Sequence, residues 1–205
     1  MPMTRRLFLL SACALPLAAC SGVYQTSFPA TLAPTTTRNW RVTAVQVDVP
    51  QSLSVSEAHA LVPEGDIVWR EDDPSGDRHA QVARIIKDAI TLGAKPLRGG
   101  VPVVLNVVVS RFHALTFEAE TQLSNAGVHN IQFDIQANDA RNGAILAGPV
   151  HIQADLPAWS GPQMAQARLN GVTQKSMITS HVAQTIQAWL GIGADNRSSF
   201  TRLGD

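Results

Sequence analysis

The sequence predicts an α+β fold: a two-layer sandwich with a mixed β-sheet of about four strands and two helices on one face, in the order β-α-β-β-β-α. Three observations predict it. An apolar stripe at helical spacing, Val82, Ile85, Ile86, Ala89 and Ile90, sits between two runs that read as strands. The second of these runs, Val101 to Phe117, is too rich in valine to favour a helix. A second helical stripe near the C-terminus, Ile178, Val182, Ile186 and Trp189, supplies another one-faced helix. The first two strands flank a helix and can pair in parallel through a crossover. The remaining strands extend the sheet by a hairpin.

In chain order, Val45-Gln46-Val47-Asp48-Val49 alternates with period two, which is the pattern of a strand with one buried face, and Pro50 ends it. Ser54 to Leu61 reads as a short helix capped by Ser56, or as loop, and Asp66 to Arg70 as a short strand. Asp73-Pro74-Ser75-Gly76-Asp77 is a turn in which Asp77 caps a helix over 78–92, stopped by Gly93. Apolar residues on both faces of 101–117 suit a central strand. Residues 118–127 read as a polar connection. Ile131, Phe133 and Ile135 then alternate along 129–137. Asn142-Gly143 is a hairpin signal because both residues tolerate positive φ. Strand character returns at 144–147 and 150–156, with a bulge or break at Gly148-Pro149. A Trp/Gly/Pro loop over 157–163 leads to a single helix over 165–190, ended by Gly191 and Gly193.

The N-terminus reads as an address. Arg5 and Arg6 precede the apolar run Leu7 to Leu15, which falls short of the roughly 20 residues that a membrane-spanning helix needs. Small residues then precede a cysteine, in the order of a secretory signal peptide. Leu17-Ala18-Ala19-Cys20 resembles the lipobox of bacterial lipoproteins. That resemblance implies cleavage before Cys20, a diacylglycerol thioether on its sulfur and acylation of the new amino terminus, a palmitate-type anchor to a membrane. Several acyl chains hold a protein firmly, at about 0.8 kcal/mol per buried CH₂. Thr4-Arg5-Arg6-Leu7-Phe8 also resembles a twin-arginine export motif, with the alternative that the two arginines serve a general secretory signal.

The expected organisation is a signal peptide over 1–19, a lipid-anchored flexible stalk over 20–39, one domain over 40–192 and a polar tail over 193–205. Tyr24 and Phe28 are the stalk residues able to dock on the domain. The whole chain of 205 residues has 16 basic and 16 acidic side chains. Arg5 and Arg6 leave with the signal, so 14 basic residues face 16 acidic ones, a net charge of −2. This balance argues against a nucleic-acid partner. Of the two cysteines, Cys13 leaves and Cys20 is the anchor, so no disulfide or cysteine metal ligand remains.

The lipobox, the polar stretch after it, the element order and the hairpin Asp139-Ala140-Arg141-Asn142-Gly143 resemble small envelope lipoproteins of Gram-negative bacteria. Gly65-Asp66-Ile67-Val68-Trp69-Arg70 and Gly76-Asp77-Arg78-His79 resemble an uncharacterised family of alphaproteobacterial lipoproteins. More distantly, the architecture is similar to transport-auxiliary and lipopolysaccharide-assembly lipoproteins. The resemblance carries no catalytic residue over to this chain. Ser21, standing where an aspartate often signals inner-membrane retention in such lipoproteins, implies the outer membrane, with the inner membrane as the alternative.

Candidate chemical sites are few. The acidic run Glu64, Asp66, Glu71, Asp72, Asp73 and Asp77 lacks the spacing of a calcium loop and reads as a solvated loop favouring the following helix N-terminus. His113, His129 and His151 offer the single route to a zinc site, across neighbouring strands. Separate imidazoles are the plainer reading. Ser160 lacks the glycines of a nucleophile elbow, and Leu97-Arg98-Gly99-Gly100 precedes a strand rather than a phosphate-binding helix. Glu118 and Glu120 lie in a polar connection, without aromatic sugar platforms. Trp69 and Trp159 read equally as partner anchors or core closures. The expectation is therefore no enzyme, no cofactor and no metal. It is a lipid-anchored binding or accessory module of an envelope complex, partnered by the membrane through Cys20 and by an envelope protein. The alternatives are a lipid- or glycan-handling accessory of a transporter and, behind it, a hydrolase.

Overall fold

The computed structural model describes residues 23–70, 72–124 and 126–201; the expected signal peptide over 1–19, Cys13 and Cys20 lie outside the described residues. The chain builds β1 (Val23–Ser27), α1 (Pro34–Thr37), β2 (Trp40–Asp48), β3 (Ile67–Val68), α2 (Arg78–Ala94), β4 (Val101–His113), α3 (Phe117–Gln122), β5 (Val128–Asp139), β6 (Ile145–Ala154), β7 (Leu156–Pro157), α4 (Gly161–Leu169), α5 (Gln174–Trp189) and β8 (Ser198–Thr201).

The α+β class and the mixed sheet hold, but the sheet is larger than four strands. Its order among the described residues is β2-β4-β5-β6-β1-β8, with β3 beside the end of β4 and β7 beside the start of β5. β2 and β4 pair in parallel across α2, and the other pairs in that order are antiparallel. One face is apolar: Val103, Leu105, Val107 and Val109 alternate on β4, and Ile131, Phe133, Ile135 and Ala137 on β5. A register shift between Val109 and Arg111 re-aims β4 so that Phe112 also points inward. Val82, Ile86 and Ile90 of α2, with Ile178, Val182 and Ile186 of α5, complete this core. The opposite face is polar: Asn106 Nδ2 donates to Asn138 Oδ1 at 2.9 Å, and His151 Nδ1 meets Asp134 Oδ1 at 2.9 Å.

Several expectations need correction. Residues 23–39 are not a free stalk, because β1 pairs with β6 and β8, Phe28 is buried in the core, and Leu32 N–H donates to Trp189 O at 2.8 Å. The tail over 193–205 contributes β8, whose Phe200 stacks on Tyr24 with ring centroids 6.0 Å apart. The single helix over 165–190 is two helices, α4 and α5, broken at Gly171, which holds φ +76. Capping accounts for the restart: Thr173 Oγ1 accepts from Ser176 N–H, and Ser176 Oγ accepts from Thr173 N–H. The connection over 118–127 contains α3, capped by Thr116.

Gly93 does not stop α2. It lies inside the helix, where an added Cβ would stand 2.6 Å from Ala183 O and 3.0 Å from Ile186 Cβ, so the missing side chain lets α2 and α5 touch. No helix forms over 54–61. Val55 instead bridges Ile67 in parallel, and Asp66 accepts from Ser54 N–H (2.9 Å) and Oγ (2.7 Å). The runs 65–70 and 76–79 clamp this segment. Arg70 Nη1 donates to Glu57 O at 2.7 Å, Arg78 Nε to Glu57 Oε1 at 2.8 Å, and His79 Nε2 meets Leu53 O at 3.1 Å.

Candidate functional site

The sheet places different chemistry at its two ends. At the end where β2 and β4 begin, the last turns of α2 and the turn before β4 leave an open cleft of about 590 Å³ against β2. Val42, Leu92, Ala94 and Leu97 give it an apolar floor. Arg41, Lys95 and Arg98 rim it, with Asp88 as its one acid. All three cations are exposed. The ion pairs of Lys and Arg among the described residues use Arg70, Arg78, Arg141, Arg168, Lys175 and Arg197 and leave these three out. Lys95 and Arg98 stand just beyond the C-terminus of α2, where the helix dipole favours cations. β2 is moreover an edge strand, so one side of its backbone carries no ladder.

At the opposite end, acids from the loop after β3 meet the helices. Arg168 of α4 donates from Nε to Glu120 Oε1 at 2.7 Å, from Nη2 to Glu120 Oε2 at 2.8 Å, and from Nη1 to Asp72 Oδ1 at 3.0 Å. Gln174 Nε2 donates to Glu120, while Gln174 Oε1 accepts the Leu115 N–H at 3.0 Å. Asp72 Oδ2 accepts the Lys175 N–H at 2.7 Å. Asp73 takes Lys175 Nζ at 2.8 Å and Trp69 Nε1 at 2.8 Å. The two acids hold Arg168 protonated, raising its pKa further. Asp73 is lowered on balance: burial, the largest influence, raises it, but the Lys175 and Trp69 hydrogen bonds outweigh that. Each carboxylate here is matched to a donor. The network is a clasp joining α3, α4, α5 and the β3 loop, with no free base or nucleophile among its described residues.

The sequence-level candidates are dispersed. Asp66 and Asp77 serve Ser54 and the first turn of α2, where Ala80 N–H donates to Asp77 Oδ1 at 3.0 Å. Glu71 lies outside the described residues. Among those described, no three His, Cys, Asp or Glu side chains gather as a metal site. The three strand histidines do not converge. His113 bonds Gly65 O, His151 sits on the polar face, and His129 is fully buried in the core with both ring nitrogens unpartnered. Burial pushes His129 down to about 3. Ser160 Oγ is spent on Ala126, donating to its carbonyl at 2.8 Å and accepting its N–H at 3.3 Å. Glu118 pairs with His59 Nδ1 at 2.8 Å, and Glu120 with Arg168. Trp69 closes the core, edge-on to Phe112 at 5.7 Å. Sequence reasoning missed the basic cleft. Its signal was present in Lys95, Arg98 and Leu92 at the end of one helix, but Arg41 joins them only through the parallel pairing of β2 and β4.

The fold and cleft define an α+β domain with a one-sided helical layer and an open, basic-rimmed groove. The chain belongs to a family of unknown function, DUF6778, whose model matches residues 40–205. Among solved structures it is similar to the PelC dodecamer from Paraburkholderia phytofirmans, at 15% identity over 82% of this chain and 96% of that one, with a TM-score of 0.35. It is similar to a candidate lipoprotein from Caulobacter crescentus, at 14% identity over 77% and 90% of the two chains, TM-score 0.34. A Xanthomonas campestris protein of the DUF330 family is similar at 11% identity over 74% and 82%, TM-score 0.43. No curated protein matches the sequence. No helix among the described residues is long and apolar enough to cross a membrane.

Proposed function

We propose that the protein is a lipoprotein of the cell envelope, anchored through acylated Cys20 in the outer membrane and facing the periplasm, and that it works as a non-enzymatic binding module of an envelope complex. The lipobox-like Leu17-Ala18-Ala19-Cys20 supports the anchor, and Ser21 supports the outer membrane. The observation that carries the binding role is the cleft between α2 and β2, where Arg41, Lys95 and Arg98 surround an apolar floor. Its occupant in this reading is an acidic, partly apolar segment of a partner envelope protein. Such a segment matches the three cations in charge and the floor in polarity. Lipid or glycan handling draws less support, since side chains of α2, α5 and the sheet fill the space between the layers.

Two measurements test the reading. Cys20→Ser should abolish acylation and either release the domain or leave the precursor uncut. A variant that still fractionates as a processed membrane lipoprotein overturns the anchor. A photo-crosslinking residue at Leu92 should capture an envelope protein in intact cells, and charge reversal by Lys95→Glu with Arg98→Glu should abolish that adduct. An adduct indifferent to charge reversal, or none, overturns the cleft as the binding site.

A further inference from the structure

The proposal below rests on the Cys20 anchor and concerns the other end of the sheet. The chain enters β1 at Val23, three residues after Cys20, a reach of at most about 10 Å even when fully extended. β1 runs antiparallel to β6, and its Thr26 pairs with Ala154 at the end of that strand, so Val23 lies beyond the end of β6. This is the end where β4 finishes and β5 begins. A pocket of about 300 Å³ there brings Tyr24 together with Leu61, Val62, His113 and Leu123. Thr116 Oγ1 donates to Ala60 O at 2.8 Å, which sets Phe117 beside the same segment.

These residues leave large apolar side chains in the open. Val62 is 87% exposed, Val23 68%, Phe117 57% and Leu61 44%. Arg111 lines the same pocket, forms no ion pair among the described residues, and has its Nη2 3.4 Å from His113 Nδ1. Apolar tips around a cation suit the boundary between acyl chains and phosphate headgroups.

We propose that this end of the domain is a membrane-docking surface. Leu61, Val62 and Phe117 seat in the headgroup layer of the phospholipid bilayer that holds Cys20, and Arg111 faces lipid phosphate. The domain then stands on the membrane rather than swinging from a stalk. The basic cleft, at the far end of strands 12 and 13 residues long, is held roughly 40 Å above the lipid.

The test uses the full chain, purified as it is processed in cells and reconstituted into vesicles of phosphatidylethanolamine and phosphatidylglycerol. Val62→Cys, Phe117→Cys and Ile145→Cys each receive a polarity-sensitive fluorophore, and the vesicles carry headgroup-level nitroxide lipids as quenchers. All three positions are exposed, so the core is untouched, and Ile145 marks the remote end. Fluorescence should be lost at 62 and 117 and retained at 145. Equal behaviour at all three positions overturns the docking surface. Intact mass of the same samples reports acylation of Cys20 separately. Quenching without acylation leaves the surface standing and removes the anchor. Acylation without quenching does the reverse, and the absence of both removes both.

Discussion

Asp155 and Gln25 hold each other reciprocally: the Gln25 N–H donates to Asp155 Oδ2 at 3.2 Å, and the Asp155 N–H donates to Gln25 O at 3.2 Å. The other carboxylate oxygen accepts from Ile131 N–H at 3.1 Å and Asn130 Nδ2 at 2.7 Å. One buried acid thus ties the entry strand β1 to β5. Asp155→Ala leaves buried donors without acceptors, at a cost of about 2–3 kcal/mol. Urea unfolding should show that loss, and limited proteolysis should open the segment around residues 23–33. A variant as stable and as resistant as the parent would mean that β1 is held by something else.

Gly93 marks a close approach of α2 to α5. A methyl group there would overlap Ala183 O and crowd Ile186, and helix backbones cannot shift apart without loosening the core between them. Gly93→Ala should therefore destabilise by about 1–3 kcal/mol, although alanine is the better helix former in isolation. Gly143→Ala in the hairpin strains a φ of +75 but meets nothing within 4 Å. Comparing the two by thermal unfolding separates packing from backbone conformation, and Gly93→Ala should be the more damaging.

The two main helical stripes and the valine-rich strand were legible because their burial follows the 3.6 and 2.0 periods of helix and strand. The entry strand was not. Residues 23–27 are Val-Tyr-Gln-Thr-Ser, with a single fully buried position, Thr26, and their place in the sheet depends on Asp155, 130 residues away from Gln25. β8 is likewise a short polar edge. The break at Gly171 was hidden by the continuous helical composition on both sides of it. The basic cleft was partly legible, as cations at the end of α2, but its third cation comes from a strand paired in parallel with the next element. The element order suggested that pairing, but not the register that sets Arg41 beside the end of α2.

Among the described residues, Arg168 is the one cation that pairs with both Glu120 and Asp72, whose side chains are 9% and 6% exposed. Arg168→Met keeps much of the stem but leaves two nearly buried carboxylates facing each other. Its own one-third exposure keeps the penalty below that of a fully buried pair, at about 2–3 kcal/mol. Lys175→Met removes one contact to Asp73, which keeps its Trp69 partner, and should cost about 1 kcal/mol or less. Urea unfolding of both variants checks the order. A larger loss from Lys175→Met would show that the clasp is centred on Asp73 instead.

His129 makes the fold sensitive to acid. Burial is the main cause of its low pKa, about 3 in the folded chain against 6.5 for a free imidazole, and the neighbouring His181 pushes the same way, while Asp72 opposes them. Below pH 6.5 the unfolded chain takes up a proton at this ring and the folded chain does not. Above pH 6.5 the ring is neutral in both states and its titration has no effect on stability. Stability falls as the pH drops from 6.5 towards 3, by up to about 1.4 kcal/mol per unit. His113 and His181 are lowered in the same direction and add to the slope. Both ring nitrogens of His129 lack partners, so His129→Leu should be neutral or stabilising at pH 7.5. At pH 5 its advantage over the parent should grow by about 2 kcal/mol. Urea midpoints measured at pH 7.5, 6 and 5 test the difference, and parallel curves for the two proteins would mean that His129 is not the buried neutral group responsible.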